Sequence, residues 1–255
     1  MVDVTRPLHS LSKPTFPQQK RPIAARTFLL RPPSFGGVSL YFMDKNDLQE
    51  QIQNAQALGQ KLEDLVVNAG KITIKTQASP FLIGLWSLVC DYDKGLLNLL
   101  HWKFYGAAFA LWRPFVEATV RAHLLLMLPP EDLDRLKRDK YRVDFKTVPA
   151  EIDQKFGLGK LFENFLPERV REALHSYTHS GIVPLMRRFD GTDVAANYPD
   201  REITALINTT TSGTFMVTSL VTKHFGFEKE WAEAQRLYGE WGAQKPGGIE
   251  PPERV

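Results

Sequence analysis

The sequence predicts an all-α fold, an up-and-down bundle of roughly six to eight helices between two loose tails. Three observations support this prediction. Apolar residues recur at three- and four-residue steps over long segments, prolines and glycines fall between those segments, and almost no stretch alternates as a strand would. With 255 residues, 43% of them hydrophobic and 24% charged, the chain can bury a sizeable core, which excludes disorder throughout.

The order of the elements follows from apolar spacing and from helix stop signals. The first helix is expected over 44–68, where Leu48, Ile52 and Ala55 begin one apolar face and Gly70 follows as a stop. The segment KITIK at 71–75 alternates, but it has no evident strand partner, so a short extended piece is expected there. The other helices are expected over 80–100, 103–128, 131–140, 149–156, 167–174, 199–224 and 228–241.

Three regions are predicted along the chain: a disordered, basic, proline-rich leader at 1–42, a single helical-bundle domain at 43–241 and a flexible tail at 242–255. The leader contains six basic residues and one acidic residue, a balance of +5. Because the whole chain has a net charge of +3, residues 43–255 have a net charge of −2. This argues against a general nucleic-acid-binding surface on the folded part, although a local basic patch is still compatible with it. Alternatively, the leader is an organelle transit peptide, or an upstream extension before a natural start at Met43.

Composition also excludes several classes of protein. The single cysteine, Cys90, excludes a disulfide framework and a cysteine-rich zinc site, and it indicates a reducing, cytoplasmic compartment. The most apolar stretch, 104–128, has charged residues near its middle, so no membrane span is expected. The acids Asp91 and Asp93 are interpreted as a pair on a helix surface rather than as metal ligands. No cofactor is expected.

A charged stripe follows the predicted helix at 103–128. Arg113, Glu117 and Arg121 are four residues apart, so each is displaced by about 40° around the helix from the one before. Nearly all other residues there are apolar, so we expect the stripe to lie partly inside the bundle, where a charge must be paired. Glu117 can pair with both arginines, which leaves one positive charge for another partner or an anionic ligand. The stripe is either a buried ion network that sets helix register or part of a functional site.

Two histidines, His175 and His179, are four residues apart near the end of another predicted helix. Such residues either form hydrogen bonds at the helix end or transfer protons, since imidazole titrates near neutral pH. A metal site is not expected, because no HExxH motif is present and zinc needs a third ligand. Arg187 and Arg188 follow and add positive charge.

Three segments are distinctive: ALWRPFVEATVRAHLLLML at 110–128, LHSYTHSGIVPLMRRF at 174–189 and NYPDREI at 197–203. Together they resemble a bacterial family of unknown function placed among HEPN-like helical proteins, near abortive-infection and toxin–antitoxin proteins. The likeness covers most of 44–225 as R-x3-E-x3-R, then Tyr-Thr-His-(Ser/Gly)-Gly, then a basic pair. It implies an up-and-down helical bundle, often dimeric, so that a homodimer is expected here, and in active members it implies metal-independent RNA cleavage.

The resemblance also implies roles for individual residues. An arginine of the stripe would bind the phosphate, Glu117 would orient that arginine, and His179 would transfer the proton as the ribose 2′-hydroxyl attacks. The predicted catalytic residues are Arg121, His179 and Glu117, and the predicted substrate-binding residues are Arg113, His175, Tyr177 and Arg187.

Active HEPN ribonucleases carry an R-x4–6-H motif on one helix. Arg169 and His175 match it here, but they lie about 240° apart on a straight helix, so a pairing of Arg121 with His179 from two helices is preferred. The predicted function is an RNA-cleaving or RNA-binding effector in phage defence or a toxin–antitoxin system, an endoribonuclease if it is an enzyme. The alternatives are a non-catalytic helical module that dimerises or binds a partner protein, and a small-molecule or nucleotide-binding protein with an anion pocket at the stripe.

Overall fold

Ten helices contain most of the residues that the structure describes. The structure is a computed structural model, and it describes residues 45–138, 140–166, 168–178, 181–190, 193–194 and 196–243. The helices are α1 (Lys45–Asn68), α2 (Ser79–His101), α3 (Tyr105–Leu125), α4 (Pro130–Lys137), α5 (Val148–Phe156), α6 (Leu161–Phe165), α7 (Glu168–Thr178), α8 (Ile182–Met186), α9 (Asp200–Phe225) and α10 (Glu228–Ala243). Two short strands, β1 (Phe189–Asp190) and β2 (Asp193–Val194), pair antiparallel between α8 and α9.

The prediction of an all-α fold is confirmed for the described residues, apart from this one pair of two-residue strands. The short helices α6 and α8 and the strand pair are additions to the predicted elements, and the segment 71–75 is an irregular connection. The predicted leader and Met43 lie outside the described residues, as does the predicted tail from residue 244 onward. Within the described part of the chain, none of the helices has both the length and the apolarity that crossing a membrane requires.

The helix α9 is central to the bundle, since it packs against α1, α2, α3 and α10. The helix α2 in turn packs against α1 and α3, and α7 packs against α3. The approach of α3 to α9 is close, because a Cβ added to Gly213 would come within 2.6 Å of the Phe115 ring. Trp112 and Phe115 of α3 are among the largest fully buried side chains of this core.

A run of threonines is accommodated in α9 because the helix itself satisfies their hydroxyl groups. β-Branched residues have lower helix propensity, so Thr209, Thr210 and Thr211 weaken the prediction of a helix here. Their hydroxyls donate to the carbonyl oxygens four residues earlier, at 2.8, 2.8 and 2.9 Å. Since Thr210 and Thr211 are buried, these hydrogen bonds remove the cost of an unpaired hydroxyl in the core.

The helix α3 begins two residues later than predicted because α2 ends in a left-handed turn. Lys103 has a φ of 61°, a conformation that glycine usually adopts. The N–H groups of Lys103 and Phe104 donate back to carbonyl oxygens in the last turn of α2, as in a Schellman motif. Beyond this corner, α3 continues through Pro114 and carries the charged stripe along the bundle.

Candidate functional site

Arg113 and Glu117 form an ion pair on α3 that is partly exposed to solvent. Arg113 Nε donates to Glu117 Oε1 over 2.8 Å, and the two side chains are 28% and 29% exposed. Arg121 has no ion pair with Glu117, and its buried Nε atom lacks a hydrogen-bond partner among the described residues. The stripe is therefore a pair plus a separate cation, and the expected pairing of Glu117 with both arginines does not form.

His175 of α7 lies next to Arg113 of α3. Arg113 Nη1 is 3.1 Å from His175 Nδ1. A guanidinium can only donate, so Nδ1 accepts this hydrogen bond and the imidazole carries its proton on Nε2. Because the His175 side chain is exposed, a ligand in solution can reach the pair. Glu117, Arg113 and His175 thus form one chain of hydrogen-bonded groups across two helices.

An open pocket of about 160 Å³ lies where these two helices meet. Half of its lining is charged or titratable and half is apolar; the residues are Arg113, Glu117, Arg171, His175, Val116, Phe145, Leu166 and Leu174. With two arginines and one glutamate, the lining has a positive net charge. Guanidinium groups bind phosphate oxygens through a fixed fork of donors, so the lining suits a phosphate group.

Arg171 also lines the pocket, although it was not among the predicted site residues. Its Nη1 donates to the carbonyl oxygen of Leu166 over 3.0 Å, which holds the side chain at the pocket wall. Spacing could have identified it, because Arg171 precedes His175 by four residues on α7 and so shares its face. No such signal exists for Phe145, which comes from the segment before α5 and reaches the pocket only through tertiary packing.

Two residues predicted to contact substrate, Tyr177 and Arg187, are buried in a separate cluster and do not line this pocket. Arg187 Nη2 donates to both carboxylate oxygens of Glu202, at 2.5 and 2.7 Å. The Tyr177 ring stacks on Phe109 with centroids 5.0 Å apart. Burial raises the pKa of the Tyr177 hydroxyl, and a hydrogen bond with Arg187 acts in the opposite direction. This cluster links α7, the residue after α8, and α9.

The predicted proton-transfer residue His179 lies outside the described residues. Its pairing with Arg121 therefore stays a prediction. In the structure, His175 contacts the charged stripe, and it does so at Arg113 rather than at Arg121.

Two further titratable groups are buried in the core. The interpretation of Asp91 and Asp93 as a surface pair is wrong for Asp93, which is 3% exposed. Burial raises the pKa of Asp93 to about 7, although a hydrogen bond with Thr214 opposes the change. Burial lowers the pKa of His123 to about 4, while its Nδ1–H donates to the Thr119 carbonyl oxygen over 3.0 Å. Neither group lines the pocket with Arg113.

Comparison with known proteins finds no matching family model, no matching curated protein and no matching solved structure. The HEPN-like relationship therefore stays a prediction from the sequence motifs. Among the described residues, no group of three or more His, Cys, Asp or Glu side chains could hold a metal ion.

Proposed function

We propose that the protein binds the phosphodiester backbone of RNA in the pocket with Arg113 and cleaves it. The observation that carries this proposal is the 3.1 Å contact between Arg113 Nη1 and His175 Nδ1 at the wall of an open pocket. In this proposal the guanidinium binds the phosphate and the neighbouring imidazole transfers the proton, since RNA transesterification needs both kinds of group. The HEPN-like motifs support the same chemistry, and in a toxin–antitoxin or phage-defence system such cleavage would arrest growth.

Arg113 is the phosphate-binding residue of the proposed reaction. When RNA enters, Arg113 Nη1 exchanges His175 Nδ1 for a phosphate oxygen, while its Nε remains bound to Glu117. Glu117 thereby keeps the guanidinium plane in place. Arg171 adds a second positive charge at the pocket wall, where negative charge accumulates on the phosphate oxygens during the reaction.

His175 is the proton-transfer residue. Its Nδ1, released by Arg113, takes the proton of the ribose 2′-hydroxyl as that oxygen forms a bond to phosphorus. The bond between phosphorus and the 5′ oxygen breaks, and the imidazolium returns the proton to the leaving oxygen. The products are a 2′,3′-cyclic phosphate and a 5′-hydroxyl. The nucleophile belongs to the substrate, so DNA of the same sequence is not cleaved.

We expect His175→Ala to lower the rate of RNA cleavage at least about 100-fold, because it removes the proton acceptor. Arg113→Gln should lower it about as much, because it removes a donor to the phosphate. The measurement is single-turnover cleavage of a single-stranded RNA by the full chain in the presence of a chelator, with detection of the cyclic phosphate end.

Matched controls separate this site from general effects of losing an arginine or a histidine. Arg135→Gln removes an exposed arginine of α4 that pairs with Asp132, and His101→Ala removes a histidine of α2 that bonds to Gln49. Both variants should cleave at the wild-type rate. The proposal is wrong if wild type leaves the RNA intact, or if His179→Ala abolishes cleavage while His175→Ala does not.

A second candidate function, helical homodimerisation, is favoured by the outer face of α2. Leu88 lies on this face and is 38% exposed. Such a face can pack against the same face of a second copy in a two-fold dimer. We expect light scattering to show a dimer for wild type and a monomer for Leu88→Lys, with unchanged helix content by circular dichroism. A monomeric wild type would exclude this function.

A further inference from the structure

A second cavity lies at the N-terminal end of α3. Its volume is about 130 Å³, and its wall includes the corner between α2 and α3 together with the side chains of Arg188 and Tyr198. None of its lining residues also lines the pocket with Arg113. The lining has two positive charges, on Lys103 and Arg188, and no acid. From outside the cavity, Asp200 acts on the lining residue Tyr105, and Glu202 acts on Tyr198. Because Glu202 is paired with Arg187, the net charge around the cavity is still positive.

The first N–H groups of α3 are available at this cavity. Phe104 occupies the cap position, and none of the described side chains caps the helix. The Phe104 carbonyl accepts hydrogen bonds from the N–H groups of Ala107 and Ala108. The N–H groups of Tyr105 and Gly106 make no backbone hydrogen bond within the described residues. Unpaired N–H groups and the helix dipole favour an anion at this end of a helix.

Arg188 and Tyr198 converge on the space beside Gly106. A Cβ added to Gly106 would lie 3.0 Å from Arg188 Nη2 and 3.1 Å from Tyr198 Oη. Tyr198 is 8% exposed, and its buried hydroxyl has no hydrogen-bond partner among the described residues. Buried polar groups are nearly always paired, so this hydroxyl indicates a ligand acceptor that completes the site.

We propose that this cavity binds the phosphate group of a nucleotide. Phosphate oxygens accept hydrogen bonds from Arg188, from the Tyr198 hydroxyl and from the N–H groups at the start of α3. Lys103 supplies the second positive charge. The Phe104 ring, which is 63% exposed and lines the cavity, provides a surface on which the base stacks.

The two sites lie on one side of α3. Gly106 and Arg113 are seven residues apart, which is two helical turns and about 10 Å along the axis. If the proposed RNA cleavage is right, this cavity holds a neighbouring phosphate of the same strand. The assignment of the cavity itself rests on its own geometry and stands without the cleavage reaction.

Calorimetric titration of the full chain with 5′-AMP and with adenosine tests the proposal, in an Arg113→Gln background that removes the arginine of the other pocket. We expect 5′-AMP to bind at least about tenfold more tightly than adenosine. Gly106→Ala should weaken 5′-AMP binding at least about tenfold because its methyl group fills the site, and Tyr198→Phe should do so because it removes a donor.

Both variants are expected to fold normally. Alanine is a better helix former than glycine, and Tyr198→Phe removes only a hydroxyl that has no partner among the described residues. Gly84→Ala is the matched control, because a Cβ added to this glycine of α2 meets nothing within 4 Å. It should bind 5′-AMP as the parent does.

The proposal is overturned if 5′-AMP does not bind, if adenosine binds as tightly, or if Gly106→Ala and Tyr198→Phe leave 5′-AMP binding unchanged. A single-stranded RNA without a terminal phosphate identifies the source of the phosphate. Competition with 5′-AMP indicates the RNA backbone, and its absence indicates a free nucleotide. A failure of RNA cleavage leaves the calorimetric result standing, so the two proposals are tested separately.

Discussion

Replacing Arg187 with methionine is expected to destabilise the protein by about 3–5 kcal/mol, because it leaves a buried carboxylate unpaired. Glu202 is 2% exposed, and both of its oxygens accept hydrogen bonds from Arg187. Burial raises the pKa of Glu202, and the charge and hydrogen bond of Arg187 hold it down. Chemical denaturation followed by circular dichroism measures the loss in the free energy of unfolding.

The loss in the free energy of unfolding caused by Arg187→Met should increase with pH. A carboxyl whose pKa is raised in the folded protein contributes stability at low pH that is lost as the pH rises through that pKa. Without Arg187, the pKa of Glu202 rises further, so the deficit of the variant is expected to be larger at pH 8 than at pH 5.

Two comparisons establish that the buried charge is the cause. The double variant Arg187→Met, Glu202→Leu should be more stable than Arg187→Met alone, because no unpaired charge remains. Arg236→Met removes an exposed arginine that pairs with Glu233 and Glu240, and should have little effect. A double variant less stable than the single one would contradict the explanation.

The stability of wild type relative to Asp93→Asn is expected to fall by about 2–3 kcal/mol between pH 5 and pH 7.5. In the folded protein the pKa of Asp93 is about 7. Its contribution to stability is therefore fully present below the ordinary aspartate pKa of about 4, decreases as the pH rises, and is gone above about 7. Denaturation of both proteins across this range measures the difference.

The comparison with Asp93→Asn is needed because other groups titrate in the same range. The pKa of His123 is lowered to about 4, so its contribution is present above the ordinary histidine pKa and decreases as the pH falls, which is the opposite trend. This group is common to both proteins and cancels in the difference. The groups acting on Asp93 are Glu63 of α1, Lys94 of α2 and Thr214 of α9. A difference that does not change with pH would show that Asp93 is ionised throughout.

The long helices were predictable because their signals are local. The segment expected over 44–68 is α1 at Lys45–Asn68, and the segment expected over 199–224 is α9 at Asp200–Phe225. Apolar spacing and proline or glycine boundaries act within a few residues of each other. The prediction of the corner between α2 and α3 was less accurate. Lys103 adopts a left-handed backbone conformation there, which cannot be expected from the identity of its side chain.

The candidate site was predictable in part. The ion pair of Arg113 with Glu117 follows from a spacing of four on one helix, and that pairing is confirmed. Arg113 and His175 are separated by 62 positions, and no spacing rule relates residues of different helices. Their contact depends on how α7 packs against α3, so the histidine beside the stripe could not be chosen from the sequence.

The all-α class and the charged stripe of α3 were evident from the order of the residues, since both arise from the periodicity of a single helix. Which charges are buried, and with which partners, became evident from the packing of the helices against one another. Arg187 is paired with Glu202 inside the bundle, and Asp93 lies in the core rather than at the surface. Burial depends on which faces of distant helices pack together, and that property belongs to the assembled bundle rather than to any one segment.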